Sequence, residues 1–86
     1  MDRTFRELDE DREVTAEEVS TVLEEYVEEG AAISARVVCG LILRTEPSES
    51  QRAKMKNLAG TGMVDQEGRG FHRDAEEYGQ VLRLLS

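Results

Sequence analysis

The chain has 86 residues and a formal charge of −8, from 11 basic and 19 acidic side chains. That length bounds it to one small domain with a core near the lower limit of unaided folding. It has no apolar run approaching the roughly 18 residues of a membrane-spanning helix, and a lone cysteine, Cys39, excludes an internal disulfide framework and fits a reducing cytoplasm.

Residues 1–13 are charged and lack the apolar stretch of a secretory signal. Phe5 and Leu8 would dock one turn of helix on the domain, or else the segment is mobile. The domain proper is expected over 14–86. Its first helix starts at Thr15, where Thr15 and Glu18 form a T-x-x-E capping box with Val14 and Val19 as staple residues. Val19, Val22, Leu23, Tyr26 and Val27 follow at helical spacing, and Gly30 supplies a left-handed stop. The glutamates on the remaining surface, from Glu17 to Glu29, read as a solvated face rather than a metal site, because nothing makes them converge.

A second helix is expected from Ser34 to Arg44, on the i, i+4, i+8 relation of Ile33, Val37 and Leu41. The β-branched run around Cys39 would also suit a buried strand. Cys39 reads as a buried structural thiol. Pro47 ends this element and restricts Glu46 to extended backbone. Ser48 and Gln51 then offer an S-x-x-Q capping box for a third helix, 48–59, with Met55 and Leu58 as core positions. Gly60 and Gly62 are expected to end it. Residues 63–66 and 71–73 read as strands around Glu67-Gly68-Arg69-Gly70, whose glycines suit a tight hairpin with Arg69 at the tip and with Val64 and Phe71 facing the core. A last helix is capped by Asp74 with Glu77. Its stripe of Tyr78, Val81, Leu82 and Leu85 either packs over the domain's own first helix or makes a homodimer contact, and the two uses are compatible.

Charge is unevenly distributed. Residues 1–30 carry 3 basic and 12 acidic groups (−9), residues 31–73 carry 7 and 4 (+3), and residues 74–86 carry 1 and 3 (−2). The positive stretch coincides with the third helix and the expected hairpin. Only two of the 11 basic residues are lysines, so the surface resembles that of proteins from salt-in halophiles, where a Debye length of roughly 3 Å at molar salt screens self-repulsion. An ordinary acidic protein with arginine bias is the alternative.

The stretch from Ile33 to Phe71, with L-x-x-x-G-M-V at Leu58–Val64, resembles the helix–turn–helix–wing of the winged helix-turn-helix superfamily of archaeal and bacterial transcription regulators. Combined with the acidic composition, the type implied is haloarchaeal. The resemblance covers roughly residues 15–85 and implies an α+β fold, with a three-helix core, a two-stranded wing and a C-terminal helix. It implies a DNA-binding regulator in which helix 48–59 enters the major groove and wing 63–73 touches the backbone or the minor groove. By that correspondence Ser48, Ser50, Arg52, Ala53, Lys54, Lys56 and Asn57 contact DNA from the helix, and Arg69 and Arg73 from the wing. Their chemistry suits those roles: Arg52 matches guanine, Asn57 matches adenine, and the remaining cations and serines match phosphates.

The alternative is a winged-helix protein-interaction module, in which the same fold does not touch DNA and docks a partner through the acidic first helix or the Tyr78–Leu85 stripe. A small enzyme is the weakest option. Cys39 and His72 are the sole nucleophile–base candidates, and neither a phosphate-binding glycine loop nor a metal-ligand motif occurs. No cofactor is expected.

Overall fold

The computed structural model describes residues 3–86. Within them the chain forms five helices: α1 (Phe5–Glu10), α2 (Ala16–Glu29), α3 (Ala35–Thr45), α4 (Glu49–Gly68) and α5 (His72–Leu85). No strand occurs among the described residues. The expected α+β winged helix-turn-helix is therefore not the fold, and the two-stranded wing does not exist.

The first half of the chain follows its local signals. Thr15 Oγ1 accepts the Glu18 N–H at 3.2 Å and Glu18 returns a carboxylate oxygen to the Thr15 N–H at 3.1 Å. Gly30 closes α2 at φ +67°, while the Ala31 N–H reaches the Tyr26 carbonyl at 2.9 Å. At the start of α4, Ser48 and Gln51 exchange the same pair of bonds, at 3.2 and 2.8 Å. Each box satisfies orphan donors of the first helical turn. Glu46 departs from expectation. It caps α3 in left-handed backbone at φ +46°, where extended backbone was expected before Pro47, and donates its N–H to the Ile42 carbonyl at 3.2 Å.

The second half overturns the hairpin. α4 runs through Gly60 and Gly62 without a break. Gly62 lies directly beneath the ring of Tyr78, where a Cβ would overlap ring atoms, and a Cβ at Gly79 would sit 3.4 Å from Met63 Sδ. The first of these glycines lets α4 and α5 approach closely, while at the second a Cβ would make only ordinary contact. The approach supplies packing that offsets the roughly 1 kcal/mol that Gly62 costs its helix. The expected hairpin tip is instead a helix stop. Gly70 takes φ +82°, the Phe71 N–H reaches the Gln66 carbonyl at 2.9 Å and the Gly70 N–H reaches that of Glu67 at 3.0 Å. This is the bonding of a Schellman motif. α5 accordingly begins at His72, two residues before the expected Asp74 cap, and its first turn has no side-chain cap.

α4 and α5 form an antiparallel pair. α2 packs on α4, α3 on α5, and α1 on both α2 and α3. α3 and α4 do not pack on each other among the described residues, so the two helices around Pro47 are not a helix-turn-helix unit either. Phe5 and Leu8 of α1 are buried in the common core with Val19, Leu23, Val38, Leu41 and Met55. Arg44 holds α1 down by donating to the carbonyls of Leu8 at 2.9 Å and of Asp9 and Asp11 at 3.1 Å each. Two long-range bonds tie the α2–α3 loop to the helical pair. The buried Gln66 amide donates to the Gly30 carbonyl at 3.0 Å, and the Tyr78 hydroxyl donates to that of Ala31 at 2.6 Å. No described helix is long and apolar enough to cross a membrane.

Candidate functional site

The residues expected to contact DNA do not form one surface. Ser48 spends its hydroxyl on the α4 cap, and Ser50 is exposed in the first turn. Lys54 Nζ reaches back to Glu24 on acidic α2 at 3.4 Å. Lys56 lies two positions on, about 200° around the helix at ~100° per residue, and so faces another way. With Ala53 and Asn57 it lines a groove on the outer side of α4. Arg69, expected at a wing tip, sits at the end of α4. Its Nε donates to Asp65 at 3.1 Å and its guanidinium covers Gly30, where a Cβ would press on it. A cation there complements the negative end of the α2 dipole. Arg73 is exposed in the first turn of α5. Arg52, Lys56 and Arg73 form no ion pair among the described residues.

The groove is the largest concave feature beside α4, at about 790 Å³. Ala53, Lys56, Asn57, Gly60, Thr61 and Val64 of α4 line it, together with Met63 and with Leu82 of α5. It continues past Met63 and Val64 to Glu67 and Gly68. Ala53, Gly60 and Val64 share a face because they recur at seven and four residues along one helix. Val64 is 68% exposed, although the strand reading had placed it in the core. In helical register it turns to solvent while Met55, Ala59, Gly62 and Gln66 take the buried side. Sequence inspection missed the groove for this reason. Its signal, the spacing of Ala53, Gly60 and Val64, appears only once α4 is taken as unbroken.

The Tyr78–Leu85 stripe, expected to cover the first helix or to make a dimer contact, instead packs α5 against α4 and α3 and is largely consumed by the core. Tyr78 and Val81 are fully buried and Leu85 nearly so, leaving half-buried Leu82 at the groove. Burial pushes the Tyr78 hydroxyl up to about 12, reinforced by Asp65, Tyr26 and Asp74.

The candidates for chemistry lie apart. Cys39 is half-buried on α3, and burial followed by the charge of Glu77 raises its pKa, which disfavours the thiolate. His72 is exposed, with Nδ1 2.8 Å from a Glu67 carboxylate oxygen. No hydrogen bond joins the two among the described residues. Nor does any cluster of three or more His, Cys, Asp or Glu there have the convergence a metal ion needs. On α2, Glu18 is held by the capping box and Arg3, and Glu24 by Lys54.

No family model, curated protein or solved structure matches the chain.

Proposed function

We propose that this chain is a small helical protein-interaction module that docks a partner through the outer face of α4 and the adjoining edge of α5. One observation carries this reading: a mostly apolar groove lies beside α4 from Ala53 to Gly68, with Val64 standing 68% exposed in its lining. Apolar surface left open in a continuous strip, on a chain this strongly charged, is what a docking site requires. The half-buried thiol of Cys39 supports a cytoplasmic setting. A photo-crosslinking side chain placed at Val64, with exposed Glu17 on α2 as control position, tests the proposal in cells. Adducts confined to position 64 are expected. No adduct, or equal labelling at both positions, refutes it.

Duplex-DNA binding is the second reading. It is favoured by Arg52, Lys56 and Arg73, whose positive charges are unpaired among the described residues, and opposed by the net charge of −8 and by the capture of Lys54 and Arg69 by neighbouring carboxylates. Anisotropy of a labelled duplex separates the two readings. Binding that weakens with salt and with Arg52→Ala and Lys56→Ala would favour DNA.

A further inference from the structure

We infer that the occupant of the α4 groove is a second copy of this chain, with the two α4 helices antiparallel across a two-fold axis near Gly60. This rests on the reading of that face as a docking surface and names its partner.

Charge identifies the partner. Lys54 and Asp65 of α4 are already paired with Glu24 and Arg69, which leaves, among the described residues, Arg52 and Lys56 as the open cations of its first half and the exposed Glu67 as the carboxylate of its second. Two such helices repel when parallel and in register, and attract when antiparallel. The groove repeats this polarity, with Lys56 lining its part toward the start of α4 and Glu67 its part toward the end. They stand 11 residues apart, three turns along the same face at about 3.6 residues per turn. A two-fold axis near Gly60 brings Lys56 of each copy to within about a turn of Glu67 in the other. The seam between them is Ala53, Asn57, Gly60 and Val64.

Gly60 supports the same arrangement. A glycine inside a helix costs roughly 1 kcal/mol against alanine, and Gly62 recovers that cost by letting the Tyr78 ring of α5 lie against α4. Gly60 does not, because a Cβ there would meet nothing within 4 Å. A second backbone crossing at Gly60 gives that missing side chain a use. Such a contact is isologous and closes at two copies.

Sedimentation equilibrium over a broad concentration range, in moderate salt, tests this inference. Circular dichroism confirms that each variant is folded. The wild type is expected to move from the chain mass of 9.7 kDa to twice that mass. Gly60→Arg, which faces open space and improves helix propensity, should remain at the single mass. Lys56→Glu and Glu67→Lys should each lose the dimer, because each sets like charges together. Their equimolar mixture should recover it, because both groove ends are acidic in the first variant and basic in the second, so every facing pair in the mixed dimer is of opposite sign. A dimer that survives Gly60→Arg, or a mixture that fails to recover, overturns the inference. So does a wild type that stays monomeric at every concentration. A monomer whose position 64 still crosslinks to a different protein would overturn only the second copy. A monomer with no position-specific adduct would overturn the docking surface as well.

Discussion

Gly60 and Gly62 stand two residues apart on one helix and have opposite uses. Gly62 accommodates the Tyr78 ring, so Gly62→Ala forces a Cβ into that ring and should destabilise the fold by about 1–3 kcal/mol through overpacking. Gly60→Ala has open space, so in dilute protein it should stabilise the monomer by about 1 kcal/mol. Urea midpoints of the two variants check both signs. Tyr78 makes a separate prediction. Its hydroxyl, with an ordinary value of 10, is pushed up to about 12 in the fold, so above pH 10 the unfolded chain releases a proton that the folded chain keeps. Stability is therefore fully present below pH 10 and falls as pH rises toward 12, by on the order of 2–3 kcal/mol. Urea unfolding between pH 8 and pH 12 should show this limb, and Tyr78→Phe should flatten it.

At the scale of elements, α1 shows how a six-residue helix is kept in place. Isolated helices this short do not persist in water. Burial of Phe5 and Leu8 provides the affinity, and Arg44 from α3 donates to the carbonyls of Asp9 and Asp11 at the helix end and adds a second bond to that of Leu8, which already accepts the Asp11 N–H. Arg44→Ala should therefore loosen α1 locally by about 1–2 kcal/mol. Faster amide exchange at Leu8 and Asp11, with exchange in α4 and α5 unchanged, is the expected readout. α4 carries the opposite lesson. Its central glycines read locally as a stop, and its residues 60–68 are helical only because α5 covers one side and the Gln66 amide is tied to the end of α2.

Across the whole molecule, the segregation of charge along the chain is partly undone by folding. Residues 31–73 are positive in sequence, yet Lys54 is turned to Glu24, Arg44 to Asp9 and Arg69 to Asp65. A large share of that positive segment thus offsets nearby carboxylates, two of them in the acidic first third of the chain, and does not form a continuous basic face. What remains open is a groove with a cation toward one end and a carboxylate toward the other. A long polyanion is a poorer match to that polarity than a helix with its own charge reversed.

The elements legible from sequence are those whose determinants are close together in the chain. The Thr15 and Ser48 boxes and the Gly30 stop depend on residues three or four apart, so residue type and spacing were enough to place α2, the start of α4 and most of the shared core. The span from Gly60 to Arg73 was misread because its determinants are distant. Tyr78 over Gly62, Gln66 on Gly30 and Tyr78 on Ala31 join positions 16, 36 and 47 residues apart. Two glycines followed by a β-branched residue and a G-x-G turn are locally as good a strand and hairpin as they are a helix and its stop. Only the close approach of α5 decides between them, since it rewards absent side chains in a helix and has no counterpart in a two-stranded wing. The same decision turned Val64 from core to surface, and with it created the groove that the functional proposal rests on.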